Sequence, residues 1–189
     1  MARIAPLEAP YDPKIGELLA KWMPPGSDVP PLALFRTLAV HDELAARMRP
    51  LGAGILGSRI VDPLSREVMI ARTTALCFAE YEWGVHAVAF GKPLGLTDAQ
   101  LYSTVHGGPG DSCWDRKQRN IIRLADRLHH TSTVPDQLFA DLCTDFDHRQ
   151  ILELTTTAGW YHTIAYIIGV ADVAPEPWAA QFPPAAQAR

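Results

Sequence analysis

The sequence predicts an all-α protein of about seven or eight helices. Three observations carry that prediction. Helix-start signals stand at nearly every break in the chain. Apolar residues recur at steps of three and four. No Asn-Gly turn and no pair of alternating strands interrupts them. The 189 residues suit one domain able to bury its own core.

The elements follow in order. Asp12-Pro13 opens IGELLAKWM with a cap residue and a proline in the first helical position. PPGSDVPP (24–31) is a loop by composition. From Leu32 to Leu56 the spacing is helical, with interruptions expected near Val40-His41-Asp42 and at Pro50. Asp62-Pro63 repeats the first start signal, and its helix continues, or restarts near Ala79, to about Gly91. HGGPGD (106–111) reads as a loop, because no strand precedes it and no Gly-Lys-Ser/Thr follows. Thr97 with Gln100 forms a capping box, and Ser112 with Asp115 has similar spacing ahead of 113–130. Pro135 opens a helix over 135–143, and Asp147 with Gln150 opens a last one over 148–171. The stripe Leu152, Thr155, Gly159, Thr163, Tyr166 and Val170 marks one face of that helix. Gly159 costs roughly 1 kcal/mol there against alanine, which implies close approach of a neighbouring helix. The tail PEPWAAQFPPAAQAR is expected to be extended, suited to lying on a partner.

Composition narrows the function classes. The net charge is −4, with scattered Lys and Arg, which argues against a nucleic-acid surface or a polybasic membrane anchor. No apolar run reaches the ~18 residues a membrane span needs, and no signal peptide is visible, so a cytoplasmic protein is expected. Cys77, Cys113 and Cys143 are odd in number and far apart, without C-x-x-C. They read as free thiols rather than as a disulfide framework, a zinc ribbon or a dithiol pair.

The stretch CFAEYEWGVH (77–86) concentrates titratable chemistry in apolar surroundings. Glu82 and His86 are four apart and share a helix face. Carboxylate and imidazole form an acid–base pair in which the carboxylate orients the ring and raises its basicity. Glu67 lies on the preceding helical segment, on a face continued by Ala71, Thr74 and Phe78. Glu67, Glu82 and His86 are therefore the candidate catalytic residues, beside the plain alternative that Glu82 and His86 make only a surface pair. The candidate pocket residues are Cys77, Tyr81, Trp83, Trp160, Tyr161 and His162. Arg72 is expected to make a structural ion pair. His41, His106, His129, His130 and His148 fall near helix ends or loops and read as solvated or capping.

The block SREVMIARTTALCFAEYEWGVHAVAFGKPLGLTDAQL (65–101) resembles the core of the carboxymuconolactone decarboxylase family, which includes the AhpD-like alkylhydroperoxidases. RQILELTTTAGWYHTIAYIIGVADV resembles that family's last core helix. The resemblance covers most of 60–172 and leaves 1–30 and 173–189 as flanking extensions of a single domain. It implies an all-α fold and a homo-oligomer, often a trimer or hexamer. The peroxidase branch places a Glu, a C-x-x-C pair and a His at fixed spacing. Laid on this chain, that pattern puts Glu67 at the Glu and His86 at the His, with Ala79 and Glu82 where the cysteines belong. Cys77 lies two residues early and has no partner three positions on. A dithiol peroxidase needs both sulfurs, so the resemblance favours the decarboxylase branch, which works without metal or organic cofactor. It implies a small lactone or carboxylic acid as substrate.

Other readings stay open at this point. Glu67, Glu82 and His86 could hold a metal, although no His-x-x-x-His supports that. Five Trp and five Tyr suit an oligomeric, non-enzymatic scaffold as well as a pocket. A single-thiol role for Cys77 competes with simple packing.

Overall fold

The computed structural model describes residues 2–24, 26–27 and 29–185. It is all-helical, with no strand among those residues. The helices are α1 (Pro13–Trp22), α2 (Ala33–Leu38), α3 (Asp42–Gly57), α4 (Pro63–Leu76), α5 (Glu80–His86), α6 (Asp98–His106), α7 (Arg116–Thr131), α8 (Asp136–Cys143) and α9 (His148–Ala171). The chain forms two compact units, one of residues 1–58 with 166–177 and one of residues 59–165 with 178–189. The division falls inside α9.

The first unit holds α1 to α3. Asp12 caps α1 through Lys14 N, and His41 Nδ1 accepts the Leu44 N–H to cap α3. The interruption expected near 40–42 is a tight 3-10 turn, Ala39–His41. Pro50 does not interrupt α3, which runs through it. An apolar hollow of about 330 Å³ lies on this unit, with Ile4, Val40, Leu44, Tyr166 and Val170 in its lining.

In the second unit α4 is the central rod. Every residue from Ser65 to Ala75 is buried, so the helix packs on all sides rather than on one stripe. Its contacts are with α5, α6 and α7. Asp62 caps it through Ser65 N, with Pro63 in the first helical position. Its exit is sharp. Phe78 adopts φ 54°, Ala79 N donates to Thr74 O and Phe78 N donates to Ala75 O. This pair of bonds is a Schellman closure with phenylalanine where glycine is usual. The turn starts α5 back against α4.

Caps explain most remaining boundaries. Thr97 and Gln100 close both bonds of the expected capping box. Ahead of α7 the cap is Asp115 paired with Gln118, not Ser112. Asp147 and Gln150 exchange bonds at the start of α9.

Two expectations are corrected on α9. The predicted stripe faces solvent: Leu152, Thr155, Gly159, Thr163, Tyr166 and Val170 are all exposed. The buried face is Ile151, Leu154, Ala158, Tyr161, Ile164 and Ile168. Among the described residues no helix approaches Gly159, since a Cβ there meets nothing within 4 Å. The described part of the tail turns at 177–179, runs without regular secondary structure over 180–185 and lies against α5 of its unit. Ala180 N donates to Gly84 O, Phe182 N donates to Glu80, and the Phe182 ring meets Trp83 edge-on at 5.3 Å.

Candidate active site

Glu67 enters from the second turn of α4. It is 1 % exposed. The turn at Phe78 folds α5 back so that His86, in its last turn, faces Glu67. His86 Nδ1 and Glu67 Oε2 are 2.8 Å apart. Glu82, one turn earlier on α5, brings Oε1 to 3.5 Å from His86 Nε2. Tyr161 of α9 places its hydroxyl 3.0 Å from the same Nε2. His86 and Glu82 are both buried, and Tyr161 is 2 % exposed. The three candidate catalytic residues therefore converge, and one candidate pocket residue joins them.

The electrostatics follow from this packing. Burial alone would push His86 down, but the charge and hydrogen bond of Glu67, then those of Glu82, overcome it and raise the imidazole to about 9. At neutral pH both ring nitrogens carry protons. Nδ1–H then donates to Glu67, and Nε2–H points at the Tyr161 oxygen and Glu82. Burial and the two carboxylates hold the Tyr161 hydroxyl protonated, well above its ordinary value. Glu67 Oε1 accepts no hydrogen bond among the described residues. Arg66 Nε stands 3.6 Å from it, so the local charge is partly balanced from inside the helix.

The aromatic surroundings complete the site. The Phe90 ring, partly exposed, stacks on the imidazole at 5.0 Å. It sits in Ala87–Gly91, a wide turn directly after His86 in which Lys92 N reaches back to Ala87 O. Wide turns of this kind often accompany functional positions in helices. Neither the apolar hollow of the first unit nor a smaller one lined by Arg123, Asp126 and Pro135 includes the His86 cluster.

The other predicted residues fall elsewhere. Trp83 is buried and donates its indole N–H to Thr104. Tyr81 and Trp160 are buried. Arg72 makes the expected structural pair, with Asp126 at 2.6 Å, and also holds Thr104 O. Cys77 and His162 form a second group with His129, which is not the solvated or capping residue expected from its place near a helix end. His129 is half-buried, 3.0 Å from His162 Nε2 and 3.9 Å from Cys77 Sγ. Burial raises the Cys77 thiol, and burial with His162 lowers His129.

No sequence-family model and no curated protein matches the chain. Solved structures do. An uncharacterized peroxidase-related protein from Silicibacter sp. TM1040 superposes with a TM-score of 0.77 at 15% identity, covering 96% of this chain and 97% of that one. A variant of the debrominase Bmp8 bound to 2,3,4-tribromopyrrole gives 0.76 at 11% identity over 93% and 92%. ATU0492 from Agrobacterium tumefaciens, a protein of unknown function linked by its description to the antioxidant defence protein AhpD, gives 0.67 at 14% identity over 74% and 95%. The chain thus shares its helical fold with these structures, the Silicibacter protein, Bmp8 and ATU0492.

Proposed function

We propose that this chain is an acid–base enzyme needing no cofactor, which decarboxylates, or otherwise moves a proton on, a small lactone or carboxylic acid. One observation carries the reading. His86 is a buried imidazole held between Glu67 on one nitrogen and Tyr161 with Glu82 on the other. Raised to about 9, it holds a proton at neutral pH and is suited to be a general acid.

Loss of CO2 from such an acid leaves the electron pair in a conjugated carbonyl as an enolate. The positive imidazolium stabilises that charge. Nε2–H then protonates carbon and leaves a neutral ring. Tyr161 O–H turns to donate to the freed Nε2, while Glu67 keeps the Nδ1 proton in place and fixes the ring. A solvent proton restores the imidazolium. Phe90, stacked on the imidazole, is the wall that substrate displaces to reach Nε2.

The AhpD-like peroxidase reading is weaker. Positions 79 and 82 carry Ala and Glu, and Cys77 turns to His129 rather than to His86. Self-association forms part of the proposal, and the apolar hollow of the first unit supports it. Light scattering on the purified chain tests it, and a monomer at every concentration refutes it.

The decisive assay is turnover of 4-carboxymuconolactone and related lactone acids by the wild type and by His86→Gln and Glu82→Gln, run in deuterated water. The proposal expects one deuteron at the protonated carbon and a loss of about a hundredfold or more in kcat for His86→Gln. Inactivity of the wild type across the panel, or full activity of the variants, overturns it.

A further inference from the structure

A second cluster in the same unit carries different chemistry. Cys77 at the end of α4, His129 in the last turn of α7 and His162 in the middle of α9 converge. Their donor atoms Sγ, Nδ1 and Nε2 all lie within 4.8 Å of one another. The separations suit one shared ion. A tetrahedral zinc with ordinary Zn–N and Zn–S bonds places two nitrogens roughly 3.3 Å apart and sulfur roughly 3.6 Å from nitrogen. Here His129 Nδ1 is 3.0 Å from His162 Nε2 and 3.9 Å from Cys77 Sγ.

The His162 tautomer is also prepared, while His129 Nδ1, which donates to His162 Nε2 at 3.0 Å, gives up its proton when an ion binds. His162 Nδ1 lies 2.9 Å from the Ala158 carbonyl, one turn back on its own helix. A carbonyl can only accept, so Nδ1 carries the proton and Nε2 presents its lone pair to the cluster. Metal-bound histidines are oriented in this way, the second nitrogen donating to a carbonyl or carboxylate. All three side chains are half-buried, which shelters the bonds and leaves a path for an ion. One thiolate with two imidazoles selects thiophilic ions over Mg2+ or Ca2+.

We propose that Cys77, His129 and His162 bind one Zn2+ ion, with the fourth position open to water. The site is separate from the Glu67–His86 pair and does not depend on the activity proposed for it. Binding ties α4, α7 and α9 together, so it stabilises the folded chain.

The test uses the full chain, freed of any affinity tag and stripped of metal. Zinc is titrated against a chromophoric chelator, and Co2+ serves as a spectroscopic probe. The expected result is one Zn2+ per chain, a higher Tm with zinc, no response to Mg2+, and a thiolate-to-cobalt charge-transfer band. Cys77→Ser should lose the band, His162→Gln should weaken zinc by more than about a hundredfold, and Glu67→Gln should still take one equivalent. Should Cys77→Ser fail to fold, a chain with Cys113 and Cys143 both changed to Ser keeps only Cys77 and should retain the band. Absence of zinc uptake at low micromolar free ion overturns the proposal. So does a cobalt complex without thiolate character, or zinc binding that survives both ligand substitutions.

Discussion

Replacing Glu67 by Gln keeps the shape and the hydrogen-bond acceptor opposite His86 but removes the charge that holds the imidazole protonated. The consequence is readable as stability against pH. In the wild type the imidazole rises from 6.5 to about 9 in the folded state. At about 1.4 kcal/mol per unit, this amounts to roughly 3 kcal/mol of extra preference for the charged form. The folded value lies above the unfolded one, so the contribution is complete below about 6.5 and is lost as pH rises through about 9. Wild-type stability should therefore fall by roughly 3 kcal/mol across that window, with one proton released on unfolding. In Glu67→Gln burial regains the upper hand over the remaining help from Glu82, and most of that slope disappears. Urea unfolding at several pH values from 6 to 9 gives both curves. Their difference isolates the pair from Cys77, whose raised thiol affects both proteins alike. A wild-type curve flat over this range, or parallel curves for the two proteins, would refute the reasoning.

Three further outcomes rest on backbone geometry. A Cβ at Gly84 would sit 1.9 Å from the Ala180 carbonyl oxygen, so Gly84→Ala should release the tail from α5, seen as faster hydrogen exchange and proteolysis after residue 177. Gly159→Ala fills open space on an exposed helical position. It should stabilise the chain by about 1 kcal/mol, read as a higher Tm. Phe78 is 88 % exposed and held at φ 54°; Phe78→Gly should relieve about 1 kcal/mol of left-handed strain, raising the urea midpoint.

Much of this architecture was legible because capping is local chemistry. Asp12, Asp62, Thr97 and Asp147 each announce a helix start that the folded chain uses. Ser112 failed because Asp115 with Gln118 offers a complete reciprocal box three residues on. Periodicity says that α9 is a helix but not which side faces inward. Leu152-Tyr166-Val170 and Leu154-Tyr161-Ile168 both step at helical spacing, and only tertiary packing selects the second.

The candidate site divides in the same way. Glu82 and His86 are readable as neighbours from their four-residue spacing. Glu67 needs the reversal at Phe78, which no glycine announces. Tyr161 is only a pocket candidate from sequence, and its bond to Nε2 needs the docking of α9. His129 was missed because its partners lie 52 and 33 residues away along the chain. A helix-end histidine gives no local sign of such company.

The protonation state of His86 is the point on which the functional account turns, and nitrogen NMR of histidine-labelled protein reads it directly. The expected result is a ring with both nitrogens protonated at pH 7.5 that titrates near 9, and that turns neutral at pH 7.5 in Glu67→Gln. A neutral single tautomer for His86 in the wild type at pH 7.5 would contradict it.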